Sequence, residues 1–373
     1  MKICLDVRYK MESGASSYIK NIVPELLRQD KDNTYTIVKY PYQSFDFEDM
    51  AESIIVSPRG GDILQMLWTT FILPIKLKMN RIDIYHGLKN PGPYWNPAKT
   101  VFTMHSITDS YRDNYFPVSL KAYIYGVFYS IPTVKHTSRL IAVSNFIKEY
   151  TSEYLGIDTK KIDLIYHGIN DSFRQLNKDA IDTVLKRYGL PDDYLLCVGN
   201  ITPVKNHITA VRAFAEISDK ISINLVLVGG KDKPYYKELC QGVEKYKLSD
   251  RIITPGFIGG DDLVAIMNGA RILIFPSLTE GCPVTMLEAL KCGLPVVASR
   301  RGGLWDVGKE CALFVDDPMD YKSFSNEIMK ILSSERLEDE LIQSSLNRAE
   351  EFRWEDTALA TLETYIRCYE SEK

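Results

Sequence analysis

Residues 271–299 read RILIFPSLTEGCPVTMLEALKCGLPVVAS. The apolar run RILIF is followed by a small polar turn, Pro276-Ser277, and the run PVVAS closes the segment. Both have the length and β-branched character of buried strands. Between them Pro283 is placed to open a helix at its first position, and Gly293 to cap its end. Strand, helix and strand in so short a span form a crossover whose two strands run parallel.

The same alternation runs along the chain. Short apolar runs recur as KICLDV, TYTIVKY, DIYHG, TVFTMH, RLIAVS and KIDLIYHG, then as YLLCVGN, INLVLVGG, RILIFPS and PVVAS. Stretches of helical period separate them, among them SSYIKNIVPELLRQ, NHITAVRAFAEIS and DDLVAIMNGA. Nearly all-apolar strands are those of parallel sheets covered on both faces. Several end in a polar or small residue (His86-Gly87, His105, Ser144, His167-Gly168, Gly199-Asn200, Gly229-Gly230), where open parallel sheets bind ligands. The polar stretch at 170–193 reads as a linker followed by a helix. It predicts an N-terminal domain of residues 1–172 and a C-terminal domain of residues 173–353. A final helix, residues 354–373, with Leu359, Leu362 and Ile366 on its apolar face, closes the second domain or packs back on the first.

The chain has 373 residues, a formal charge of −4, and is 45% hydrophobic and 25% charged. That is a soluble two-domain composition with no general attraction to nucleic acid. Seven scattered cysteines show no metal-ligand or redox spacing and fit a reducing cytoplasm. The stretch ILQMLWTTFILPIKLK, residues 63–78, is interrupted by Gln65 and Pro74 and is too short to span a bilayer. It reads as a core helix stopped near Pro74. A second reading is a peripheral surface at the inner membrane face, with Lys76, Lys78 and Arg81 toward anionic lipid. The aromatic run AYIYGVFYSI, residues 122–131, offers another such surface or a buried amphipathic helix.

The chemistry concentrates in EGCPVTMLE. Backbone amides around Gly281, Cys282, Pro283, Val284 and Thr285 open a helix whose dipole favours phosphate. Glu280 precedes that helix, and Glu288 lies more than a turn inside it, where a carboxylate accepts from ribose hydroxyls. Two ordinary surface glutamates are the bland alternative. The spacing, with Gly-Cys-Pro between them and Gly-Leu-Pro after the helix, tells against it.

This segment resembles the Glu-x7-Glu signature of family 4 glycosyltransferases, and the resemblance covers nearly the whole chain. It includes GASSYIKNI (14–22), VFTMHSITD (101–109), AVSNFIKEY (142–150), LLCVGNITPVKN (195–206) and ITPGFIGGDDLVAIMNGA (253–270). The order and spacing are those of mannosyltransferase-like members. The resemblance implies the GT-B fold, an α/β architecture of two facing Rossmann-like domains with parallel sheets and an interdomain cleft. It implies retaining, metal-independent transfer of a hexose, mannose being favoured. The donor is a GDP- or UDP-linked nucleotide sugar as co-substrate, without a cofactor, and the acceptor a saccharide or lipid-linked saccharide in surface polysaccharide or glycoconjugate synthesis.

By that resemblance His105, Lys205 and Glu280 are catalytic. Lys205 holds the diphosphate, Glu280 the transferred sugar, and His105 faces that sugar. Gly14, Asn200, Gly256, Phe257, the segment Gly281–Thr285 and Glu288 bind the donor, Phe257 being otherwise a core aromatic. The sequence departs from the family where an arginine is replaced by Asn200 or Val204, where His-Asp becomes His105-Ser106, and where Pro-Glu becomes Trp305-Asp306. The departures keep open a non-catalytic nucleotide-binding partner of another transferase, and the shared fold keeps open a sugar-nucleotide epimerase. A dehydrogenase is disfavoured, since no Gly-x-Gly-x-x-Gly follows the first strand.

Overall fold

A computed structural model describes residues 1–9, 14–89, 92–106, 129–231 and 233–371. The chain divides into two compact units, residues 1–168 with 353–373, and residues 169–352. The first division therefore falls four residues before the expected 172/173, and the last helix belongs to the first unit.

Among the described residues the first unit holds seven strands: β1 (Lys2–Asp6), β2 (Thr34–Lys39), β3 (Ser53–Val56), β4 (Ile84–Gly87), β5 (Lys99–Met104), β6 (Arg139–Ala142) and β7 (Ile162–Leu164). They form one sheet in the order β3-β2-β1-β4-β5-β6-β7. Every pairing is parallel, with Ile3 opposite Tyr35 on one side and Ile84 on the other. The second unit holds β8 (Tyr194–Val198), β9 (Asn224–Val228), β10 (Ile252–Gly256), β11 (Ile272–Phe275), β12 (Val296–Ser299) and β13 (Ala312–Val315), in the order β10-β9-β8-β11-β12-β13. These pairings are parallel too. Each sheet reverses its order beside its first strand, at β1/β4 and at β8/β11. That is the doubly wound Rossmann arrangement, and the reversal is where such sheets bind ligands.

Central strands such as Tyr194–Val198 are buried throughout, as the all-apolar runs require. The core of the second unit gathers Leu195, Phe214, Leu227, Ile274 and Phe324, and that of the first gathers Ile3, Leu5, Ile22, Leu26 and Tyr365.

Two expectations about helices are corrected. The helix ending the chain, Trp354–Glu370, buries Thr357, Ala358, Thr361, Thr364, Tyr365 and Cys368, while Leu359 and Ile366 stand in solvent. Its buried threonines donate back to carbonyls one turn earlier, Thr361 Oγ1 to Thr357 O at 2.7 Å and Thr364 Oγ1 to Ala360 O at 3.1 Å. Tyr365 Oη and His86 Nδ1 share a hydrogen bond of 2.6 Å. Satisfied hydroxyls on small side chains carry little burial cost, so they out-compete bulkier apolar groups for a close helix contact. The helical stretch at residues 62–79 does not stop near Pro74 either. It runs as Asp62–Leu67, a widened π turn at Trp68–Ile72, and Leu73–Met79. The π turn falls just where Pro74 supplies no N–H to the ladder.

Candidate functional site

The reversal point of the second unit is built from the loops after β8 and β11. After Val198 the chain passes Gly199-Asn200 and a short 3-10 turn, Pro203–Lys205. Gly199 packs so tightly that a Cβ on Gly229 would lie 1.8 Å from its carbonyl oxygen, so only glycine fits there. Asn200 Oδ1 accepts from Gly230 N at 3.3 Å.

Asn206 follows in the left-handed conformation, φ 54° and ψ 40°, and is buried. Its Nδ2 donates to Pro276 O at 3.0 Å and Pro318 O at 2.8 Å, while its Oδ1 accepts from Thr209 Oγ1 at 3.0 Å. Leu278 N donates to Val204 O at 2.8 Å. These bonds tie the β8 loop to the β11 loop and fix Lys205 between them.

Lys205 Nζ donates to Glu280 Oε1 at 2.6 Å and lies 5.3 Å from the Phe275 ring centre. The side chains are 26% and 12% exposed, so the pair is held by the protein yet open to a ligand. Glu280 is fixed through its backbone. Gly303 N donates to Glu280 O at 2.8 Å. Gly302, at φ +57°, lies where a Cβ would sit 2.2 Å from the same oxygen. Glu288 is half-buried one turn into the helix Val284–Cys292. Burial pushes its carboxyl up to about 8, with the nearby Lys205 charge pulling the other way. Lys205, Glu280 and Glu288 are thus one electrostatic group.

The helix start differs from expectation. Pro283 is the cap residue, and the helix begins at Val284. Val284 N donates to Cys282 O at 3.0 Å, and Met286 N and Leu287 N both donate to Pro283 O. The first turn therefore already uses the Val284 amide, and Pro283 carries no N–H to donate. Gly293 ends the helix in the left-handed conformation, as its position in the sequence required. Just after β9, Gly229 N donates to Gly256 O at 2.9 Å, joining the end of β10 to the glycine that packs on Gly199. Phe257 is 73% exposed, which discards its reading as a core aromatic. Asn206 was not singled out from sequence. Its signal was an asparagine between a loop lysine and a helix start, a position that tolerates left-handed backbone.

In the first unit, His105 follows β5. Its Nε2 lies 2.7 Å from Leu88 O, and since a carbonyl only accepts, Nε2 carries the proton. Nδ1 is buried with no partner. Burial pushes the imidazole down to about 4, so the ring is neutral and Nδ1 offers a lone pair. Tyr18 sits edge-on at 4.8 Å and His167 at 5.2 Å. Ser106 is exposed beside it. Gly14 is the exposed first residue of the helix Gly14–Gln29; residues 10–13 before it lie outside the described residues. So does most of the aromatic run at 122–131. Among the described residues no group of three His, Cys, Asp or Glu converges as a cation site.

Two family models divide the chain between them. The model described as Glycosyltransferase Family 4 matches residues 13–173, and that described as Glycosyl transferases group 1 matches residues 183–348. The chain belongs to glycosyltransferase family 4. Among curated members, the serotype-specific mannosyltransferase WbdA of Escherichia coli is 28% identical over 240 residues, 63% of this chain and 29% of WbdA. The O-antigen chain mannosyltransferase RfbU of Salmonella typhimurium is 28% identical over 229 residues, 61% of this chain and 60% of RfbU. The chain thus spans under a third of WbdA and less than two thirds of RfbU. The fold is GT-B, shared over the whole length with solved structures. Anabaena HepE in complex with UDP and glucose covers 100% of both chains with TM-score 0.78 at 16% identity. Sucrose-phosphate synthase from Thermosynechococcus elongatus covers 99% of both with TM-score 0.79 at 19% identity.

Proposed function

We propose that this family 4 member is a retaining, metal-independent hexosyltransferase of surface polysaccharide or glycoconjugate synthesis. It moves a hexose, mannose being favoured, from a GDP- or UDP-linked sugar to a saccharide or lipid-linked saccharide, and acts in the cytoplasm. The observation that carries this reading is the Lys205–Glu280 pair at the reversal point, with Glu288 in its field. The mannosyltransferase names of its relatives support the sugar and pathway class.

The chemistry follows from the charges. When a diphosphate enters, the Lys205 ammonium exchanges its carboxylate for phosphate oxygens, and Glu280 is released to the hydroxyls of the hexose. As the bond from C1 to the phosphate oxygen breaks, negative charge grows on the leaving nucleoside diphosphate. Lys205 and the amides near Thr285 stabilise it. The acceptor hydroxyl forms the new bond to C1 from the leaving-group face and passes its proton to the departing phosphate, so the anomeric configuration is kept. Glu288 accepts from the ribose.

The test is transfer from GDP-mannose and UDP-glucose to a saccharide acceptor in EDTA, with the product anomer read by NMR. Retention is expected, with Lys205→Ala lowering turnover about 10²- to 10³-fold, the loss typical of removing one charge-stabilising donor. Inversion, an absolute need for Mg²⁺ or Mn²⁺, near-normal turnover in Lys205→Ala, or an isomerised sugar nucleotide from donor alone would each overturn the reading.

A further inference from the structure

Open parallel sheets bind ligands beyond the carboxyl ends of their strands, yet a cavity of about 620 Å³ lies at the amino ends of β5, β6 and β7. Lys99 opens β5, Arg139 opens β6 and Lys161 precedes β7, so neighbouring strands bring three basic side chains to one place. Tyr94, Trp95 and His136 line the cavity with them. The volume falls within the range of small-molecule sites, about 300–1,000 Å³. β5 is six residues long, so the cavity lies about 20 Å from the strand end that carries His105.

Its positive charge is only partly cancelled. Arg139 is taken by Asp163, with Nε donating to Oδ2 at 2.9 Å and Nη2 to Oδ1 at 3.0 Å. Lys99 Nζ donates to Tyr369 O at 2.8 Å and to Ser371 O, both neutral carbonyls. Two of its three donors are thereby used, and its charge stays uncompensated. Lys161 is exposed and makes no ion pair among the described residues. No Asp or Glu lines the cavity. A negative group is therefore what it attracts.

The walls set a second requirement. Tyr94 is 52% and Trp95 62% exposed, and the Tyr94 ring rests 4.6 Å from that of His136. Asn96 ties their loop to β5, its Oδ1 accepting from Ala98 N at 3.0 Å and its Nδ2 donating to Thr100 Oγ1 at 3.1 Å. Aromatic faces kept in solvent on a tethered loop offer apolar area to a ring edged with C–H groups. Buried Thr133 and Thr137 also line the cavity. Their hydroxyls donate to Tyr129 O and Val134 O, both at 2.7 Å, which leaves only oxygen lone pairs for a ligand. Lone pairs suit hydroxyl donors. An aromatic face, acceptors for hydroxyls and uncompensated ammonium groups together match a sugar ring that carries an anion.

We propose that this cavity is a second saccharide site, for a sugar bearing a carboxylate or a phosphate. Trp95 and Tyr94 take the ring face, Thr133 and Thr137 accept from its hydroxyls, and Lys99 and Lys161 hold the anion. Binding is measured without turnover, so this site and the transferase reading can fail separately. The experiment is calorimetric titration of the full chain with mannose 6-phosphate and glucuronic acid, against mannose and inorganic phosphate. An acidic sugar is expected to bind, and neither mannose nor phosphate comparably. Trp95→Ala should weaken that binding about tenfold and Lys161→Ala about fivefold, with unchanged melting because both side chains are exposed. Saturating GDP or UDP, and Lys205→Ala, should leave it unchanged. Failure of both acidic sugars to bind would overturn the proposal. So would equal binding of inorganic phosphate, displacement by GDP or UDP, or full binding in both Trp95→Ala and Lys161→Ala.

Discussion

The two sheets reverse direction in the same way, but what fills the two reversal points differs. At β1/β4 the ion pair is sealed. Asp6 and Arg8 are both buried, with Arg8 Nε donating to Asp6 Oδ1 at 2.8 Å and Nη2 to Oδ2 at 2.6 Å. Tyr85 Oη donates to the same carboxylate at 2.5 Å. At β8/β11 the pair is Lys205–Glu280, joined by a single hydrogen bond and open to solvent, with half-buried Glu288 nearby. A charge surrounded by fixed partners holds a fold together. One with a single exchangeable partner can take a ligand. The same topology thus gives the first unit a strut and the second a candidate binding site.

The largest effect should come from breaking the strut. Asp6→Asn leaves the Arg8 charge buried without its counter-charge, so unfolding free energy of the first unit should fall by about 3–5 kcal/mol. Urea denaturation measures it, while nucleoside-diphosphate binding by the second unit stays unchanged. A loss below about 1 kcal/mol would mean that the pair is not the strut described.

Asn206→Ala should come next. It strips the Pro276 and Pro318 carbonyls of their donor and puts alanine in a left-handed conformation, at a cost of about 2–4 kcal/mol. Asn206→Gly should recover only the backbone part. Both variants should bind nucleoside diphosphate more weakly, because Lys205 loses its mounting; calorimetry that finds unchanged affinity removes Asn206 from that role.

The smallest effect concerns Glu288. Its carboxyl, at about 8 when folded, takes up a proton that the unfolded chain does not hold above the ordinary carboxylate range. Its contribution to stability is therefore complete below about pH 4.5 and is lost as pH rises through about 8. Glu288→Gln should flatten the decline in melting temperature between those limits. Near pH 7, ribose hydroxyls favour the carboxylate, so nucleotide binding should release protons, visible as a buffer-dependent calorimetric enthalpy. An equal buffer dependence in Glu288→Gln would assign those protons elsewhere.

Alternation and the all-apolar centres made the doubly wound sheets legible from sequence. The strands missed were β3, β10 and β13, three of the four sheet edges. Edge strands are covered on fewer sides and need not be apolar throughout. Ile54 and Val56 of β3 face solvent, and β10 is only half-buried beyond its first residue. On the last helix Leu362 packs on the first core as an apolar face should, but Leu359 and Ile366 do not, because hydroxyls bonded to their own backbone take their place and do not register as core. In the site, Lys205 and Glu280 are individually visible as charged residues in loops after strands, and Glu288 as one inside the helix that follows. What mounts them, an asparagine in a left-handed turn and glycines pressed on carbonyls, depends on close approach between distant segments. Spacing along the chain does not encode it.

The last helix has one more consequence. Since residues 169–352 lie inside the sequence of the first unit, a ribosome finishes the second unit before it makes Trp354–Glu370. Until that helix emerges, His86 lacks Tyr365 and the first core lacks Ala358 and Cys368. Domains fold as their segments become available. Here the order is inverted, with the half that is begun first completed last.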